Sequence, residues 1–101
     1  MKVKKEKKDK TFIYISKEAN YKIINKSKEE NISQSMVMEN LLKRFLQEYN
    51  DEEIKKVKDK PVGKTLYLTS NTHKNLKIFS LIYMIEISSI LECAVKKYLV
   101  K

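Results

Sequence analysis

The sequence predicts a mainly α-helical domain carrying two short β-strands and built from two copies of one strand–helix–helix unit. Three observations predict it. Lys10–Ser16, reading Lys-Thr-Phe-Ile-Tyr-Ile-Ser, returns in near copy at Lys64–Thr69 as Lys-Thr-Leu-Tyr-Leu-Thr. Setting Tyr14 over Tyr67, 53 positions further on, then holds without a gap, placing Ile23 over Leu76, Ser27 over Ser80, Ile32 over Ile85, Ser35 over Ser88, Glu39 over Glu92 and Leu42 over Val95. The chain's only Pro and only Gly, Pro61 and Gly63, close the polar stretch between the copies. Two copies at this spacing read as a paired unit and not as a solenoid. Each copy, at roughly 40 residues, is too small to bury a sufficient core alone.

Residues 1–9 alternate lysine with Glu6 and Asp9 and lack an apolar period, which predicts a flexible basic arm. In the first strand, from Lys10, side chains alternate, so Thr11, Ile13 and Ile15 form the core face while Lys10, Phe12 and Tyr14 point outward. Ser16 is placed to cap a helix over 17–30 with Ala19, Ile23, Ile24 and Ser27 inside. Asn31 suits a left-handed helix end, Ile32 is a buried anchor, and Ser33 or Ser35 caps a second helix over 34–49. That helix carries an apolar stripe of Met38, Leu41, Leu42, Phe45 and Tyr49, the pattern of core packing.

A linker is expected over 50–63. The second copy, 64–101, repeats the plan. Its strand turns Leu66 and Leu68 inward, with Thr65, Tyr67 and Thr69 opposite. Thr69 or Ser70 caps a helix that carries Leu76, Phe79, Ile82 and Tyr83, and a last helix from about Ile87 to Val100 carries Ile90, Leu91, Ala94, Val95 and Tyr98. Its turn signals are weaker, since Met84 stands in the place of Asn31 and Glu86 in that of Ser33.

A net charge of +9, from 22 Lys and Arg against 13 Asp and Glu, favours an anionic partner such as nucleic acid. The excess is concentrated at Met1–Lys10 and in the second copy, +4 in each. Cys93 is the only cysteine, which excludes an intrachain disulfide and a thiolate metal cluster and fits a reducing cytosol. No apolar segment of signal-peptide kind follows the N-terminal lysines. The most apolar window, Ile78–Ile90, is interrupted by Glu86 and falls short of the ~20 residues a bilayer span requires. A cytoplasmic protein with no membrane partner is the expectation. There is no Gly-rich loop, no paired acids and no nucleophile with a base, so neither an enzyme nor a cofactor is expected. His73 aligns with Asn20, lacks metal-ligand partners and is expected at the surface.

A short strand, a capped helix, a turn, a buried aliphatic, the Asn31-Ile32-Ser33-Gln34-Ser35 helix start and a second amphipathic helix resemble the ribbon-helix-helix fold of the MetJ/Arc/CopG-like DNA-binding proteins. The resemblance covers Lys10–Tyr49 well and Lys64–Leu99 more weakly. Two copies in one chain are similar to the tandem TraY-like conjugation proteins. The resemblance implies a mainly α fold with a two-stranded antiparallel β-ribbon, a tandem ribbon-helix-helix forming an intramolecular pseudo-dimer. It further implies a ribbon that enters the major groove of double-stranded DNA.

By that logic Lys10, Phe12, Tyr14, Thr65 and Tyr67 are the base-contacting candidates. Lys10 can donate to guanine, Thr65 and the tyrosines to base or phosphate acceptors, and Phe12 can meet a thymine methyl. Ser33, Ser35 and Ser88, with Lys64 and Lys8, are the phosphate candidates, because a helix start offers free amides and a positive dipole end. The function implied is transcriptional repression, or plasmid or phage maintenance or conjugation. Self-association on adjacent sites could use Leu81, Tyr83, Met84, Ile85 and Ile87. An antitoxin-like protein-interaction module and a nonspecific basic RNA- or DNA-binding protein are the alternatives, and the target DNA sequence is not readable from the chain.

Overall fold

Two strands with alternating faces and four amphipathic helices fold into a two-stranded antiparallel sheet backed by helices. The computed structural model describes residues 8–50, 53–56 and 58–99. In order, the elements are β1 (Lys8–Ile15), α1 (Lys17–Glu30), α2 (Gln34–Glu48), β2 (Val62–Thr69), α3 (Ser70–Tyr83) and α4 (Ile87–Tyr98). Both strands begin two residues earlier than expected. Lys8 and Asp9 belong to β1 and not to an arm, and Val62 and Gly63 belong to β2 and not to the linker. The physical reason is the ladder, which pairs Lys8 with Thr69 at one end and Ile15 with Val62 at the other. The remainder of the expected basic arm, residues 1–7, lies outside the described residues.

The register centres on Phe12 opposite Thr65, with Lys10 opposite Tyr67 on one side and Tyr14 opposite Gly63 on the other. Shifting both members of a flanking pair by the 53-residue repeat converts one pair into the other, so the ladder has the symmetry of the sequence. Alternation then sorts the faces. Thr11, Ile13, Ile15, Leu66 and Leu68 are buried against the helices, joined by Met38, Leu42, Phe45, Leu76, Ile90 and Val95. Each large side chain sealed in this way contributes about 1.5–3 kcal/mol.

The junctions between strand and helix are held crosswise. Ser16 caps α1, its hydroxyl accepting from the Ala19 amide at 3.1 Å. Its own amide and hydroxyl donate to the carboxylate of Glu92, from α4, at 2.5 and 2.9 Å. Thr69 caps α3 by accepting from the Thr72 amide at 3.3 Å. The Thr69 amide and hydroxyl donate to Glu39, from α2, at 3.1 and 2.8 Å, and the Thr72 hydroxyl adds a bond of 2.6 Å. Each copy therefore supplies a buried carboxylate to the other copy's cap. Thr69, expected on the outer face, is buried because it serves this cap.

The turns between paired helices are alike although their sequences are not. Asn31 has φ 55° and ψ 45°, and Met84 has φ 53° and ψ 47°. In both, a serine hydroxyl on the preceding helix, Ser27 or Ser80, donates to the carbonyl of Ile32 or Ile85. Ile32 is half-buried and not sealed. Met84 carries a Cβ into the left-handed region, where a non-glycine residue is disfavoured by about 1–2 kcal/mol and asparagine least so. Helices α3 and α4 meet at 105°, so the apolar window 78–90 is split between them, and among the described residues no single helix is long and apolar enough to cross a membrane. Of the apolar residues of α3, Leu76 and Phe79 are buried while Ile82 and Tyr83 are exposed, as are their counterparts Glu29 and Glu30 at the solvent side of the helix end.

Two outcomes are expected. Met84→Asn should stabilise the fold by about 0.5–1 kcal/mol and Asn31→Met should destabilise it by a similar amount, read as urea midpoints at unchanged slope. Burial alone pushes the Glu39 carboxyl up, but bonds from Thr72 and Thr69, with Lys43 beside it, hold it below the ordinary carboxylate value. A carboxyl lowered on folding adds stability above its unfolded pKa of about 4.3 and loses it as pH falls through the lower folded value. Glu39→Gln should thus cost about 1–3 kcal/mol near neutrality, and its deficit relative to the native chain should shrink as unfolding is repeated at progressively lower pH.

Candidate nucleic-acid interface

The outer face of the ribbon is assembled by strand alternation and left open by the helices, which all pack on the other side. Lys8, Lys10, Phe12 and Tyr14 of β1 lie on this face with Gly63, Thr65 and Tyr67 of β2, and all are exposed. The five base-contacting candidates are thus brought together on one surface. Phe12 and Tyr14 meet edge to face, with ring centroids 5.1 Å apart and planes at 87°. Gly63 makes that possible. A Cβ there would stand 2.8 Å from Phe12 Cζ and 3.4 Å from Tyr14 Cε1, so the glycine gives the rings room to lie over β2. Tyr67, across from Lys10, completes an aromatic surface flanked by ammonium groups.

The phosphate candidates are placed less uniformly. Ser33 caps α2, its oxygen accepting from the Met36 amide at 3.0 Å, which leaves the hydroxyl able to donate as well. Ser35 accepts from the backbone amide of Tyr67 at 2.9 Å, tying the start of α2 to the edge of β2. Ser88 accepts from the Lys60 ammonium at 2.9 Å, and the same ammonium is 3.4 Å from the Glu86 carboxylate. Lys8 is exposed, opposite Thr69. Lys64 lies on the inner side of β2 and donates to Asn20 on α1 at 2.7 Å, and burial lowers its pKa. It is a brace between strand and helix and is not presented on the ribbon face.

The roles of four residues escaped the sequence reading. Lys60 brings positive charge to the start of α4, offsetting the Glu86 carboxylate that replaces Ser33. Nothing local marks it, because it reaches the site from the inter-copy segment. Glu39 and Glu92 set the strand–helix junctions, and their signal was present: an acid recurring at the repeat distance within an apolar stripe. His73 is half-buried rather than fully exposed. Its Nδ1 lies 2.9 Å from Asp9 Oδ2, and Ser70 Oγ donates to Asp9 Oδ1 at 3.2 Å, so the cluster ties the start of β1 to α3.

Comparison with protein-family models, curated proteins and solved structures gave no match to the chain. Ser35→Ala should leave the fold intact, cost about 0.5–1.5 kcal/mol and accelerate hydrogen exchange at the Tyr67 amide, while the ladder amides of Thr11, Ile13, Lys64 and Leu66, which point between the strands, keep their protection.

Proposed function

We propose that the chain is a DNA-binding protein that lays the β1–β2 ribbon in the major groove. In this reading its two copies form one ribbon-helix-helix pseudo-dimer within a single chain, acting as a transcriptional repressor or in plasmid or phage maintenance or conjugation. The observation that carries the reading is the uncovered ribbon face, where Lys10, Phe12, Tyr14, Thr65 and Tyr67 are all exposed. A major groove about 12 Å wide admits a two-stranded ribbon. Lys10 then donates to guanine O6 or N7, the tyrosine hydroxyls and Thr65 reach base or backbone acceptors, and Phe12 packs on a thymine methyl.

The helix starts support the same reading. At α2, free amides and the Ser33 hydroxyl suit a phosphate oxygen. At α4, where Glu86 alone would repel one, Lys60 supplies the cation. With a charge of +9, phosphate contacts provide most of the affinity and the ribbon face the sequence preference.

The same three half-exposed rings support a second reading, in which unpaired bases stack on Phe12, Tyr14 and Tyr67. Such stacking is worth about 1–3 kcal/mol per base. Competition separates the two, since a groove binder prefers duplex and a stacking platform prefers single strands.

Anisotropy titrations on a duplex selected from a random pool should show affinity falling steeply with salt. Lys10→Ala should lose about 1–3 kcal/mol and relax the preference at its base pair. Lys60→Ala should weaken all sequences alike and lower the salt slope by about one. Unchanged affinity and preference in Lys10→Ala, Tyr14→Ala and Tyr67→Ala, with binding abolished by removing residues 1–7, would sink the groove reading.

A further inference from the structure

The two copies provide an internal control for any surface feature, because equivalent positions share a backbone conformation but not a chemistry. Along the exposed side of α1 and its turn the residues are Asn25, Lys28, Glu29, Glu30 and Asn31. At the same five places α3 carries Ile78, Leu81, Ile82, Tyr83 and Met84, exposed by 44%, 78%, 67%, 41% and 90%. The fold does not require that apolar face, since the first copy makes the same turn with polar and charged groups. Ile85 and Ile87, expected to join this surface, are half-buried against the core.

A groove of about 630 Å³ adjoins the face. Its floor is aromatic, with Phe79 and Tyr83 at 4.5 Å, Tyr49 and Phe79 at 4.8 Å, and Tyr49 and Tyr83 at 5.1 Å between ring centroids. The matching groove of the first half keeps Tyr21, Tyr98 and Leu99 but has Asn25, Lys26 and Glu29 where this one has Ile78, Phe79 and Ile82. Protruding Leu81 and Met84 beside an apolar hollow make the surface self-complementary, the condition for a two-fold interface in which one patch meets itself.

We propose that this α3 face is a dimerisation surface that binds the same face of a second copy of the chain. Taking about 200 Å² for a fully exposed side chain of this size, the five residues offer roughly 600 Å² per chain. Two copies then bury about 1,200 Å², the lower bound for a specific interface, whereas a patch of this size is already at the upper end for a monomer surface. Charge fits an antiparallel crossing. Lys74 and Lys77 precede the apolar positions 78–84, so in such a crossing they approach the C-terminal end of the partner helix, whose dipole favours cations.

Sedimentation equilibrium of the full chain without DNA tests this. The mass should rise from one chain to two through the micromolar range. Leu81→Glu and Met84→Glu, both at exposed positions, should weaken association about a hundredfold with unchanged circular dichroism, while Lys10→Ala should leave it intact. A native chain that stays at single-chain mass at high micromolar concentration overturns the proposal, as does a dimer that survives Leu81→Glu. So does a monomer that floats with phosphatidylserine vesicles through Leu81, which would make the face a membrane contact. Because no DNA is present, failure here is distinct from failure of the groove reading, which the Lys10→Ala titration on duplex decides separately.

Discussion

The structure depends on an exchange of buried carboxylates between the two copies. Glu39 leaves α2 to hold the cap of α3, and Glu92 leaves α4 to hold the cap of α1. A buried carboxylate is costly unless its oxygens are met by donors. Here the hydrogen-bond donors are cap groups of the opposite copy, an amide and a hydroxyl for Glu92 and an amide and two hydroxyls for Glu39, to which Lys43 of its own helix adds a cation at 3.4 Å. Both acids thus rely on the opposite copy for these bonds, and each strand finds its ladder partner there. The ladder and the two clamps therefore form together or not at all, which ties the direction of each helix to the pairing of the strands.

That linkage fixes the outer face of the ribbon. With Phe12 opposite Thr65, the alternation of both strands sends the same class of positions outward, and the clamps prevent a slip that would turn every side chain over. The exposed surface then results from what the helices do not cover. Gly63 completes it by yielding the space in which the Phe12 and Tyr14 rings lie. Lys64, one residue further on, takes the opposite face and braces Asn20.

Equal backbones have left the halves free to differ in chemistry. Ser33 and Glu86 both precede a helix, yet only Ser33 accepts a capping bond from its side chain, and Lys60 comes in from the inter-copy segment to face Glu86. Asn31 and Met84 make one turn, the second against its steric preference. Similar substitutions turn the polar exposed side of α1 into the apolar one of α3. Conformation was retained where the clamps and core demand it, and the surface chemistry diverged where they do not.

The repeat distance, the period of each segment, the Ser16 and Ser33 caps and the strand faces were legible from residues alone, because each depends on neighbours within a few positions along the chain. So were the five outward candidates on the ribbon. Strand ends were not, since Lys8, Asp9, Val62 and Gly63 are strand only by virtue of a partner more than forty residues away. The exposure of Ile82 and Tyr83, the burial of Thr69, the half-burial of His73 against Asp9, the inward turn of Lys64 and the arrival of Lys60 beside Glu86 were decided by tertiary structure. In each case the side chain's environment is set by an element distant in sequence, and local pattern carries no record of which element that will be.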